Sequence, residues 1–257
     1  MPKVKAFLNL FGIVAVITVN ALANILPING YNTGQISGFY PNYFVPAGFT
    51  FSIWSIIYIL IIGFTITSFI ALSKTAIPAL VKFYESAGWL FLFTSILNVS
   101  WILAWHFLYL AVSVAIMNAF LICLIILYNK IHSLKLDLPF RFRLFTHHAI
   151  VVYLAWISVA TIANFTALFV GLGWQGSPLE GSTWSIIMII IALLIGVIMV
   201  GKRKEPAFGF VLSWAFYGIY SNQIKDARLV GITAAIAVSF LLALTITVLI
   251  KIKKARA

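Results

Sequence analysis

Residues 45–58 read Val45-Pro46-Ala47-Gly48-Phe49-Thr50-Phe51-Ser52-Ile53-Trp54-Ser55-Ile56-Ile57-Tyr58. The stretch opens on proline and glycine and then turns apolar, the pattern of a helix entered from a loop. Trp54 and Tyr58 are one turn apart and share a face of that helix. The loop before it is uncharged and rich in Tyr, Asn, Gly and Pro. An aromatic helix entrance under a neutral loop suits the mouth of a site for a flat apolar ligand.

The same apolar pattern recurs along the whole chain. Of 257 residues, 63% are hydrophobic and 9% charged, where a soluble domain carries about 25% charged residues. Apolar segments lie at approximately 6–26, 47–72, 86–106, 109–129, 144–170, 183–201, 207–223 and 229–250. Each is close to the roughly 20 helical residues that cross a bilayer. The expectation is an all-α integral membrane protein with eight spans in a lipid bilayer. The seventh segment is the shortest and contains Ser213, Gly218, Ser221 and Asn222, so a re-entrant path is its alternative.

A net charge of +12 would suit a nucleic-acid partner if it lay on one folded face. It does not, and no nucleic-acid function is expected. Lys3 and Lys5 precede the first span, and Lys74 and Lys82 follow the second. Lys130, Lys135, Arg141 and Arg143 follow the fourth, and Lys202, Arg203 and Lys204 the sixth. Lys251, Lys253, Lys254 and Arg256 close the chain as a basic tail. The intervening loops are nearly neutral; only Lys225 and Arg228 blur the alternation. Basic loops stay in the cytoplasm, so both termini are expected there, in a bacterial-type plasma membrane. Lys3, Lys5 and Ala21-Leu22-Ala23 also fit a cleaved signal peptide, but the apolar run exceeds the usual h-region of about 7–15 residues. The lone cysteine, Cys123, has no partner for an intramolecular disulfide.

The spans carry polar–aromatic stripes. Thr94, Asn98, Trp101 and Trp105 lie on one face of the third, and Tyr153, Trp156, Ala160 and Asn164 on one face of the fifth. Asn20 and Asn24 lie on the first. An asparagine facing lipid leaves its amide unpaired, so these faces turn inward. Two readings stay open: interhelical hydrogen-bonding glue and the wall of a ligand pocket. Trp105 and Trp174 also fit an interfacial aromatic belt.

Three of these patterns together resemble the TspO/MBR family of tryptophan-rich sensory or translocator proteins. Ala47-Gly48 with Phe51, Trp54 and Tyr58 is similar to the family's second-helix signature. Leu97-Asn98-Val99-Ser100-Trp101 resembles its third-helix pattern, and Tyr153-Leu154-Ala155-Trp156 through Ala160-Thr161 to Asn164 its fifth. The resemblance covers about residues 6–175. It implies a five-helix bundle, residues 1–175, with an interior pocket roofed by the first loop. It also implies a receptor, sensor or carrier that binds porphyrin, haem or another flat lipophile, with no cofactor required. The implied ligand residues are Trp54, Tyr58, Asn98, Trp101, Trp156, Ala160 and Asn164, with Tyr43 and Pro46 in the lid. The loop departs from the family's Trp-x-Pro-Pro run: it has Tyr43 and the single Pro46. Residues 176–257 then form an extension of about three spans. On its last helix Gly231, Ala235, Ser239 and Ala243 recur every four residues, a small-residue face for packing or for a homodimer.

Catalysis finds little support. As delimited, the first six spans hold no Asp, Glu, Lys or Arg, which argues against ion-coupled transport and acid–base hydrolysis. An uncoupled permease for a small amphipathic metabolite and a partner-regulating membrane protein are the alternatives to a receptor, and porphyrin degradation is a minor one. No metal site is expected. His106, at the end of the third span, is a candidate for axial haem ligation. His147 and His148 are adjacent, point about 100° apart on a helix, and read as interface residues. His132 reads as a loop residue.

Overall fold

The computed structural model describes residues 3–174 and 178–255. Arg256 and the 175/176 boundary lie outside the described residues. Among those described there is no strand, and 82% of the chain is helical, so the all-α expectation holds. The helices are α1 (Lys3–Ile25), α2 (Thr33–Gly38), α3 (Ile53–Ile70), α4 (Pro78–His106), α5 (Leu110–Ser133), α6 (Phe140–Arg143), α7 (Ala149–Gly171), α8 (Gly181–Gly201), α9 (Pro206–Gln223) and α10 (Arg228–Lys254). A 3₁₀ turn at Gly48–Ser52 leads into α3, and a π-helical turn at Leu144–His148 joins α6 to α7.

Among the described residues, seven helices are long and apolar enough to cross a membrane. Gly48–Ile70 and Phe140–Gly171 each count as one of them. The expected seventh segment, α9, is one uninterrupted helix but falls outside that set. Its serines, glycines and Asn222 lower its apolar character. The third span starts earlier than expected, because Pro78 opens the helix in its first turn. Lys82, which read as loop, is an exposed residue of α4, as is Glu85. The first loop contains a 3₁₀ turn at Ile28–Gly30 and α2.

Two compact units divide the chain. One comprises residues 1–36 and 54–154, the other residues 37–53 and 155–257. This division by packing differs from the division of the sequence at 175/176.

In the first unit α1 and α4 run parallel. Gly12 faces Ser95, Gly88 faces Lys5, and the Asn20 amide donates to Asn98 Oδ1 at 2.7 Å. A β-carbon at Gly12 would lie 3.0 Å from Ser95 Cβ, so the missing side chain sets how closely the helices approach. α3 runs antiparallel to α4 through Phe64 stacked on Phe91, with ring centroids 3.8 Å apart, and through Tyr84, whose hydroxyl donates to Phe64 O at 2.7 Å and bonds Thr67. The turn between α4 and α5 is tight, with Leu108 in the left-handed region at φ 61° and Tyr109 N–H donating to Ala104 O at 2.9 Å. A glycine usually fills such a position.

In the second unit α8, α9 and α10 approach through glycines. Gly196 sits against Leu212 and Leu241, Gly209 against Thr245 and Val200, and Gly231 against the backbone of Ile224. The buried face of α10 is Val230, Gly231, Ala234, Ala237, Leu241, Thr245 and Val248. The expected small-residue face therefore coincides with the packed one only at Gly231; Ser239 and Ala243 are exposed. A four-residue repeat drifts around a helix of 3.6 residues per turn, so it leaves a fixed contact line after two turns.

Candidate functional site

In the first unit the second- and third-helix motifs meet. Tyr58, Trp54, Trp101 and Trp105 form a continuous row. Successive ring centroids are 5.8, 6.1 and 6.3 Å apart, with interplanar angles of 22°, 24° and 22°. Two of these rings come from α3 and two from α4, each pair one helical turn apart, so the antiparallel pairing alone aligns them. Trp105 belongs to this row and is buried, which sets aside its belt reading.

A polar chain accompanies the row. Asn20 Nδ2 donates to Asn98 Oδ1, and Asn98 Nδ2 donates to Tyr153 Oη at 2.9 Å. Tyr153 also sets its edge against Trp54, 6.2 Å between centroids. Asn20 and Asn98 are buried, so both amide ends of Asn98 are satisfied between helices, as a low-dielectric interior demands. Asn9 is buried too, and its amide atoms have no hydrogen-bond partner.

His106 is fully buried, and both of its ring nitrogens are engaged. Nε2 lies 3.1 Å from Thr33 Oγ1 and Nδ1 lies 3.1 Å from Ile28 O. Asn29 Nδ2 donates to the His106 carbonyl, and Trp105 Nε1 donates to Thr33 O at 3.3 Å. Since a carbonyl only accepts, Nδ1 carries the proton and Nε2 accepts from the threonine. The residue considered for haem ligation is a strut that ties residues 28–33 to the end of α4.

The remaining expected residues lie in the second unit. Trp156 is buried edge-on against Phe51, with centroids 6.2 Å apart. Asn164 is buried and donates to Ala160 O in its own helix at 3.0 Å. Ala160 is partly exposed. Trp174 packs edge-on against Trp184 and Phe169.

The lid segment is fastened to α9. Ala47 N–H, directly after Pro46, donates to Gly218 O at 3.0 Å, and Trp214 Nε1 donates to Thr50 O at 3.0 Å. The Asn222 and Gln223 amides both donate to Val45 O, at 3.0 and 3.1 Å. Thr50 lies flat against Gly218, which leaves no room for a β-carbon. Phe49 packs on Trp214 and Tyr217. Tyr43 is half-exposed and lines a cavity of about 420 Å³ with Asn42, Val45, Asn222, Gln223 and Asp226. Outside the spans, burial raises the Tyr40 phenol above its ordinary value.

Pro46-Ala47 precedes Trp54 at the spacing with which Pro206-Ala207 precedes Trp214, but this short echo carries no signal that Trp214 bonds the first loop. Nothing marked Gly218 or Gln223 as partners of the first loop, or Thr33 as the partner of His106.

With this geometry in hand, a family model described as TSPO-like protein matches residues 6–248. The chain belongs to the TSPO-like protein family. The match runs through α8, α9 and most of α10, which the motif resemblance left outside. No curated protein and no solved structure matches the chain. The TSPO-like fold is a helical membrane bundle, and this member is an integral membrane protein.

Proposed function

We propose that this TSPO-like protein is a receptor, sensor or carrier for a flat lipophilic ligand, with a porphyrin-like tetrapyrrole as the leading class. The observation that carries the reading is the row of Tyr58, Trp54, Trp101 and Trp105 beside Asn98 and Tyr153. Stacked indoles offer a large planar apolar surface. Asn98 and Tyr153 supply the few polar groups that orient a ligand in a mostly apolar site. Trp156, Ala160 and Asn164 on α7 are proposed as ligand residues by family resemblance, and Tyr43 and Pro46 as parts of the lid. Alternating basic loops support cytoplasmic termini in a bacterial-type plasma membrane.

The test is a titration of protoporphyrin into the full chain in nanodiscs, followed by Soret absorbance. Trp54→Ala and Trp101→Ala are expected to weaken binding at least tenfold, and Trp156→Ala is read in parallel. Unchanged affinity in both Trp54→Ala and Trp101→Ala would overturn the site. No saturable binding by the wild type would overturn the ligand class.

A further inference from the structure

Three titratable rings gather in the first unit, away from the tryptophan row. Tyr128 and His132 are one turn apart near the end of α5 and stack, with centroids 5.3 Å apart and Tyr128 Oη 3.4 Å from His132 Nδ1. His147 comes from the π-helical turn. Its ring lies 6.3 Å from that of His132 and 6.1 Å from that of Tyr128. A ring nitrogen of His132 and one of His147 lie within 4.8 Å of each other. The adjacent His148 meets His147 edge to face.

The π-turn is what makes this pair. An α-helix advances 100° per residue, so one residue inserted into a turn rotates every following side chain to a new face. Such insertions concentrate at functional sites. Here the turn is supported on both sides: Phe145 fills the space left by Gly63, and Thr146 Oγ1 donates to Phe142 O at 2.7 Å. Reading the two adjacent histidines as a pair missed this, because the partner of His147 is His132, from another helix.

We propose that His132 and His147 are two ligands of a site for a borderline transition cation such as Zn²⁺, Cu²⁺ or Ni²⁺. Imidazole suits these ions. At Zn–N distances of about 2.0–2.1 Å two coordinating nitrogens stand about 3–4 Å apart, a spacing within the observed limit. The flank is basic, with Lys130, Arg141 and Arg143 close in sequence and Arg143 paired to Asp137 at 3.4 Å. Mg²⁺ and Ca²⁺ prefer oxygen ligands, whereas a pair of imidazoles suits the borderline ions. Tyr128 positions the His132 ring through its stack and hydroxyl, as outer-shell partners of metal-bound histidines do.

The experiment uses full-length protein in nanodiscs, freed of tags, with equilibrium dialysis against Zn²⁺ alone. About one equivalent is expected to bind saturably. His132→Ala and His147→Ala should each weaken binding at least tenfold, and Mg²⁺ at the same concentration should not compete. Co²⁺ bound to the wild type reads ligation without any variant: X-ray absorption is expected to show two imidazoles. Absence of saturable binding would overturn the proposal. So would affinity unchanged by both substitutions, or a Co²⁺ shell without histidine.

Discussion

The two halves of the first loop are held in different ways. Residues 28–33 hang from the end of α4 through the ring of His106 and the indole of Trp105. Residues 45–50 lie on α9, fixed by the Gly218 carbonyl, the Asn222 and Gln223 amides and the indole of Trp214. Both anchors use an indole N–H on a loop carbonyl, one on Thr33 and one on Thr50. They differ in what surrounds it. The first is a polar ring system in which each group has a named partner. The second is a close backbone approach that depends on a missing side chain. A loop that reads as a flexible lid is therefore two tethered segments, and the tethers belong to different units.

The strongest way to break this comparison is to fill the close approach. Gly218→Val forces a side chain into Thr50 and is expected to cost about 1–3 kcal/mol by overpacking, seen as a lowered Tm in nanodiscs. Thr50→Ala in the same chain should recover part of the loss; a wild-type Tm for Gly218→Val would remove the close-packing account. Next in size is Asn98→Leu, which strips Asn20 and Tyr153 of their shared partner. Interhelical polar bonds in membranes contribute about 1–2 kcal/mol at most, and a loss of that order is expected by reversible unfolding.

The comparison sharpens with paired indole variants. Trp105→Phe and Trp214→Phe each delete one hydrogen bond, at about 1 kcal/mol. Hydrogen exchange should quicken at residues 28–36 in the first and at residues 45–52 in the second, without crossing over. Exchange rising in both segments from either variant would show one lid rather than two tethers. The smallest effect is expected at Ala243→Leu on the exposed side of α10. Stability should stay within about 0.5 kcal/mol, and only a self-associating protein should change its sedimentation.

Much of the site was legible because it rests on helical period. Trp54 with Tyr58, and Asn98, Trp101 and Trp105 together, share faces by spacing alone. The polar character of Asn98 also required an inward face. The identity of its partners did not follow, since Asn20 and Tyr153 are chosen by which helices pack. His106 was legible as a histidine at the end of its span and misread in role, because a ring's partners lie on a distant loop. The His132–His147 pair was illegible: its geometry depends on a π-turn that no residue pattern marks.

Composition and hydropathy by themselves determined that this chain is a helical membrane protein and where its spans run to within a few residues, except at the start of α4 and at the expected seventh span, whose helix α9 falls outside the set apolar enough to cross a membrane. They could do so because burying a backbone in lipid demands a continuous apolar helix. The family motifs determined its kinship with TSPO-like proteins. Only the tertiary structure decided what Val45–Ser52 rests on. The stretch reads as the open mouth of a helix, yet its carbonyls and amides are occupied by α9. Spacing within one helix fixes which residues share a face, but contact across some 170 residues of chain depends on how the helices pack, and local sequence carries no record of that.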